Sequence, residues 1–573
     1  MSGLVHDSIL GNLIRLASRG RWFQYPEEKN PALWQQYVNH DKSGRMAYTG
    51  HLEPENVPED VPEPDRADSG SMTRVPSSTW SDNGRRYQGM TGVNIDPEKG
   101  RDTVIVDWWD DHDPENPQNW PMWKKVVVTF ELCLLTFSVY IGSSIFTAGI
   151  QSVMEQFHIS EVAATLGLTL FVAGYGLGPL LWSPMSEVPQ IGRNPIYIAT
   201  LIVFVALQVP VALAGNLGTL LAFRFLTGFF GSPALATGGA SIADMFRPSK
   251  RAYGIGIWGI SAVCGPVVGP LVGGFAAQAK GWTWTIWELM WLSGFTLIVL
   301  IIFLPETSSS NILYRRARRL RRLTQRSNLR SEPEIAAEGL TARELVMMTL
   351  VRPFTLNFLE PMVFLLNLYI ALIYGLLYVW FESFAIVFEG IYHFNLGQQG
   401  LAYIGILTGA LLTIPPYYWW MHRYLEPRFD PQTGNLPPEA RLPPAIVGGF
   451  FIPICLFWFG WSARASVHWI MPIVGSGFFT VGAFLLFNPV LNYLSDAYPV
   501  YAASVLAGND LFRSSFGAGF PLFATAMYKN LGVAWASSTL AFLAIAFIPI
   551  PVVLMKYGET LRKNHSRFAR KDI

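Results

Sequence analysis

Arg224, Glu382, Asp510 and Arg513 stand inside long apolar stretches of the chain. An unpaired charge in such surroundings costs several kcal/mol, so each is a candidate for binding a proton, a substrate or a fixed counter-charge. Arg224 does not shed its proton and needs an acceptor or a carboxylate partner. It either biases a nearby carboxylate or positions a water during proton exchange, or it forms a fixed structural ion pair. Glu382 follows Tyr374 and Tyr378 at four-residue steps, which puts all three on one helix face. An aromatic stripe is ordinarily core packing; a carboxylate at its end points instead to a cavity wall that meets protons or substrate. Asp510 and Arg513 are three residues apart and can pair along one face, so a structural bridge is the plainer reading. Asn488 and Asn492, one turn apart, either line the cavity or tie helices together. Glu131 and Glu288 lie nearer the ends of their stretches, where water satisfies them more easily.

Other chemistry lacks its parts. No Gly-Lys dipeptide occurs, so no P-loop can be built. No spacing of His, Cys or carboxylates suits a metal, and no nucleophile elbow appears. No enzymatic activity, metal or cofactor is expected, which leaves an ion gradient as the energy source. Cys133, Cys264 and Cys455 all fall in apolar stretches and read as small buried hydrophobes.

The elements that hold these residues are membrane spans. Hydrophobic residues make up 51% of the 573 and charged residues 14%, against roughly a quarter charged in soluble domains. Mean hydropathy is +0.28 despite a long polar beginning. Stretches of spanning length fall at 126–148, 162–183, 195–214, 217–240, 252–277 and 284–304, then 358–388, 400–421, 445–462, 468–489, 500–527 and 534–555. The expectation is an all-α membrane protein with twelve transmembrane helices in two six-helix halves, 121–305 and 356–556. Around them lie a polar tail (1–120), a basic central loop (306–355) and a basic end (557–573).

Lys and Arg cluster in alternate connections, most densely at Arg315–Arg326, which puts both ends in the cytosol. Near the start, Val5, Ile9, Leu10, Leu13 and Leu16 recur at helical spacing beside Arg15, Arg19 and Arg21. That suits either an interfacial helix on an anionic inner leaflet or an ordinary surface helix. The Arg-rich loop lacks stacking aromatics. Contact with anionic lipid explains it better than nucleic acid, and a monomer is expected.

The fifth stretch carries Gly256, Gly265, Gly269, Pro270, Gly273 and Gly274. Gly265, Gly269 and Gly273 stack on one helix face and let a neighbouring helix approach closely. This pattern resembles the fifth-helix antiporter motif of the major facilitator superfamily. Asp113-Pro114-Glu115-Asn116-Pro117-Gln118-Asn119-Trp120 ahead of the first span resembles a signature of that family's fungal twelve-span drug:proton antiporters. The same branch is matched by Arg224-Phe225-Leu226-Thr227-Gly228, Pro305-Glu306-Thr307, Trp380-Phe381-Glu382-Ser383-Phe384 and Gly508-Asn509-Asp510-x2-Arg513. After the second span, Ser183-Pro184-Met185-Ser186-Glu187 and Ile191-Gly192-Arg193-Asn194-Pro195 resemble its loop motif, with Glu187 for the usual Asp and one extra residue before Gly192.

The resemblance implies the major facilitator fold. It also implies export of drugs, fungicides or fungal metabolites across the plasma membrane against proton entry. Glu187, Gly192, Arg193 and Asp244 would then form charge contacts of a cytoplasmic gate. A proton-linked importer and a non-transporting receptor or scaffold are the rival readings.

Overall fold

The computed structural model describes residues 2–34, 103–338, 344, 347–430 and 435–572. Eleven helical stretches among them are long and apolar enough to cross a membrane. The last, Ser504–Asn564, is far longer than one crossing requires. Gly532 interrupts it at φ 74°, a conformation that favours glycine, and separates the eleventh span from the twelfth. The described residues therefore make twelve crossings, in two groups of six: Met122–Phe303 and Pro361–Asn564. Both ends and the central connection lie at one face of the bundle, called here the terminal face.

The tenth span runs on to Ala497, past the expected limit at 489. Its polar residues do not stop it, because the Asn492 amide and the Ser495 hydroxyl donate to carbonyls one turn earlier. The helix satisfies its own side chains, and apolar periodicity alone misses that.

The fifth span, Pro248–Lys280, sorts its glycines between two partners. Side chains at Gly265, Gly269 and Gly273 would strike Tyr140, Ser144 and Ile145 of the first span. Gly256 faces Asn488 and Tyr418, and Gly274 faces the Leu396 carbonyl, all in the second half. The ladder thus seals the first span to the fifth, while its two end glycines bring the halves together.

The polar tail is not uniformly loose. Residues 35–102 of it lie outside the described residues, but 2–34 and 103–121 are folded against the central helix Ser309–Thr324. Val104 and Ile105 pair in parallel with Leu329 and Arg330. Arg316 is buried on Asp113, with Nη1 2.6 Å from Oδ2. Arg319 pairs with Glu27 and with Glu115, 3.0 Å from the latter, and lies 3.7 Å from the Tyr25 ring. Burial pushes the Glu115 carboxyl above its ordinary range, against the pull of Arg319 and Arg316. Arg321 takes Glu334 at 2.9 Å. Reading this loop as a lipid-facing basic patch thus needs correction at these arginines, which are spent on carboxylates of the protein. The partners of Arg316 and Arg319 are far away in sequence, and charge density alone did not reveal them. The helix Ile9–Ala17 packs on the sixth span yet leaves Leu13 and Leu16 exposed.

Candidate functional site between the two halves

A cavity lies between the halves, in the part of the bundle nearer the terminal face. The fifth span contributes Ile255, Trp258 and Val263, and the tenth contributes Phe479, Phe484 and Phe487. Tyr140, Tyr374, Asn488 and Arg513 bring polar groups to this otherwise apolar wall. Large aromatic surface with a few placed polar groups is the usual make-up of a small-molecule site.

Arg513 Nε donates to Asp510 Oδ1 at 2.8 Å, and Nη2 reaches the same oxygen and the Tyr140 hydroxyl at 3.4 Å. The pair anticipated along one helix face is therefore made, and it stands beside the cavity. The Arg513 guanidinium also lies 5.5 Å from the Tyr374 ring.

Arg224 is fully buried away from this cavity. It donates to the Gly167 carbonyl from Nε and to the Gly142 carbonyl from Nη1, each at 2.9 Å. Its guanidinium is sandwiched at 4.4 Å from the Phe171 ring and 4.7 Å from that of Phe146. Glycine at 142 and 167 leaves these carbonyls approachable, and the rings replace a counter-ion. No carboxylate pairs with it among the described residues, so a fixed ion pair does not describe this state.

Tyr374, Tyr378 and Glu382 were expected to face one cavity wall. The structure corrects this: Tyr374 lines the cavity, while Tyr378 and Glu382 stand off it. The Tyr175 hydroxyl, on the second span, lies 2.6 Å from that of Tyr374 and 2.7 Å from that of Tyr378. Tyr378 donates to Ser143 of the first span at 3.1 Å. These hydroxyls form a buried knot across the boundary between the halves. Sequence reasoning missed Tyr175; a hydroxyl on an apolar span was its only signal.

Glu382 lies a turn beyond the knot, toward the opposite face. Thr525 donates to its Oε2 at 3.3 Å, and its Oε1 has no hydrogen-bond partner in the structure. Asn488 is on the cavity wall, whereas Asn492 is not, because its amide is spent on the carbonyl oxygens of Asn488.

The loop residues Glu187, Gly192, Arg193 and Asp244 gather at the terminal face. Arg193 Nε donates to Asp244 Oδ2 at 2.7 Å. Glu187 makes no ion pair among the described residues. The residue that organises this corner is Glu306, from the Pro-Glu-Thr stretch. It accepts the backbone N–H groups of Arg193 at 3.1 Å and Asn194 at 3.3 Å, and of Thr307 and Ser308 at 3.0 Å each. A carboxylate at the start of the third span meets the unsatisfied donors of that helix end. Gly192 sits at φ +81°, and a side chain there would run into Glu306 and Asn311.

The halves are tied at both faces. At the terminal face Lys250 pairs with Glu426, and the Tyr418 hydroxyl donates to the Tyr253 carbonyl at 2.8 Å. At the opposite face Lys529 donates to Glu161 at 3.1 Å, and the Gly397 amide donates to Gln278 at 3.1 Å.

Twelve crossings in two halves, with a polar-flecked aromatic cavity at their boundary, define the architecture of membrane carriers. The profile of the Major Facilitator Superfamily matches residues 132–521. The chain belongs to that superfamily. Among its relatives, "Transporter mfs1" of Schizosaccharomyces pombe is 50% identical over 471 residues, covering 81% of this chain and 88% of the relative. "Fluconazole resistance protein 1" of Saccharomyces cerevisiae is 44% identical, over 81% of this chain and 85% of its own length. "Cycloheximide resistance protein" of Candida maltosa is 42% identical, over 85% and 89%. Among solved structures, the human organic anion transporter MFSD10 superposes with a TM-score of 0.52 at 15% identity, over 75% of this chain and 100% of that one. The proton:xylose symporter XylE does so with 0.52 at 14% identity, over 76% and 96%. These two likenesses concern the fold.

Proposed function

We propose that this protein is an efflux carrier. It exports amphipathic or aromatic drugs, fungicides or fungal secondary metabolites by alternating access, and proton entry drives the export. The plasma membrane is its place of action, with both chain ends in the cytosol. The observation that carries the reading is the aromatic cavity at the boundary of the halves, walled by Trp258, Phe484 and Phe487 and polar at Arg513 and Asn488. A sugar-sized polar cargo would find few hydrogen-bond partners there. The names of relatives at 44% and 42% identity, for fluconazole and cycloheximide resistance, support the same direction.

Within this reading Asp510 with Arg513, Glu382 and Arg224 are the proton-coupling groups. The corner built by Arg193, Asp244 and Glu306 shapes the cytoplasmic gate, with Glu187 beside it. Halves that touch at both faces around a cavity are what an intermediate of alternating access requires.

The test is export in a yeast strain lacking its own drug pumps, followed by everted vesicles with an imposed pH gradient. Expression should raise resistance to aromatic toxicants, and tracer should move into everted vesicles only while their interior is acid. Movement that survives a protonophore undiminished, or that runs the other way, would overturn the reading.

A further inference from the structure

We propose that the cavity selects aromatic compounds bearing hydrogen-bond acceptors, neutral or anionic, through the Asn488 amide and the Arg513 guanidinium, and that it disfavours cations. The inference rests on the carrier reading above and specifies its cargo class.

The orientation of Asn488 follows from its neighbour. Asn492 Nδ2 lies 2.7 Å from the backbone carbonyl of Asn488 and 3.0 Å from the side-chain Oδ1 of Asn488. A backbone carbonyl only accepts, so Asn492 must present its NH2 group there. That group then requires an acceptor from the Asn488 side chain, which turns the Asn488 oxygen toward it. The NH2 of Asn488 is what remains. It is buried without a partner, on a residue 5% exposed that lines the cavity. A buried donor with nothing to donate to is costly, and a ligand acceptor relieves that cost.

Arg513 repeats the pattern. It is 8% exposed and lines the cavity. Asp510 occupies its Nε and Nη2, yet a guanidinium carries five N–H donors. The remaining donors of this planar group stand beside an aromatic wall.

Acceptors on the wall are already engaged. The Tyr374 hydroxyl is taken by Tyr175, and the Tyr140 hydroxyl faces Arg513. Neither Asp510 nor Glu382 is part of the wall, so no carboxylate there meets a cation. Asp510 pairs directly with the Nε and Nη2 of Arg513 from outside the wall and leaves the other donors free for the cavity. A flat molecule can therefore stack on Trp258, Phe484 or Phe487 while offering lone pairs to Asn488 or Arg513. A quaternary nitrogen in the same place meets a guanidinium and no counter-ion.

The experiment uses three probes of one shape: 4-phenylpyridine, which is a neutral acceptor, biphenyl, which has none, and N-methyl-4-phenylpyridinium, which is a cation. Binding to the full-length protein in lipid nanodiscs is measured by equilibrium dialysis without a pH gradient, at mildly alkaline pH. We expect 4-phenylpyridine to bind about five- to ten-fold more tightly than biphenyl, the difference one hydrogen bond makes, and the cation to bind most weakly. Asn488→Leu should shrink the gap between the two neutral probes. Arg513→Gln, which leaves Asp510 without its partner, should shift preference toward the cation. If Arg513→Gln does not fold, the wild-type order and Asn488→Leu decide.

A cation bound as tightly as 4-phenylpyridine, equal binding of the two neutral probes, or no binding of 4-phenylpyridine at all would overturn the proposal. Gradient-driven flux is measured separately. Lost flux with the binding order intact removes the carrier reading alone, and intact flux with a reversed order removes only this inference.

Discussion

The two membrane-buried arginines at the heart of the halves solve the same problem differently. Arg224, in the first half, has two backbone carbonyls and two phenyl rings around it and, among the described residues, no carboxylate partner. Arg513, in the second half, has Asp510 three residues away on its own helix. The first is enclosed by packing that glycines at 142 and 167 make possible. The second is paired and stands beside the cavity, with donors to spare. One charge is thus held by architecture and the other by chemistry, and only the second can answer directly to what enters the cavity.

Substitutions that orphan a charge separate the two most sharply. Arg513→Ala leaves Asp510 buried and unpaired, and should cost about 3–5 kcal/mol of stability. Adding Asp510→Asn should restore most of that loss. Thermal unfolding in detergent measures both, and a double variant no more stable than Arg513→Ala would break the comparison. Arg224→Lys should cost less, about 1.5–3 kcal/mol, because an ammonium cannot fork to both carbonyls. No carboxylate replacement nearby should rescue it. A second-site carboxylate variant that does would reveal a partner that this state lacks.

The knot between the halves gives the smallest effect. Tyr175→Phe removes the hydroxyl shared with Tyr374 and Tyr378, at about 0.5–1.5 kcal/mol for each hydrogen bond. Paired with Tyr374→Phe in a double-mutant cycle, it should show coupling. Strict additivity would mean that the second and seventh spans do not communicate through these hydroxyls.

Much of this was legible from residue order. The twelve spans were readable because each must supply a continuous apolar run, and the backbone break at Gly532 falls inside the gap expected between 527 and 534. The glycine ladder was recognisable at four-residue spacing, although its division between the first span and the second half was not. Asp510 and Arg513 were readable as a pair, since three residues on one helix fix their separation. Glu382 and Tyr378 were misplaced relative to the cavity for the opposite reason. Which part of a span borders the space between halves depends on the tilt and rotation of several helices at once. The engagement of Arg316 and Arg319 with Asp113, Glu115 and Glu27 was likewise out of reach, because those partners lie hundreds of positions away in the chain.

By itself the sequence determined the crossings, the two-fold grouping, the scarcity of membrane charge and the Asp510–Arg513 contact within one helical turn. Those features follow from local periodicity and from the cost of placing polar groups in hydrocarbon. Tertiary structure alone decided which hydroxyls meet at Tyr175, that rings and carbonyls shelter Arg224, and that Asn488 keeps an idle donor on the cavity wall. Such arrangements depend on where separate helices come to rest against one another, and no spacing along a single chain encodes that directly.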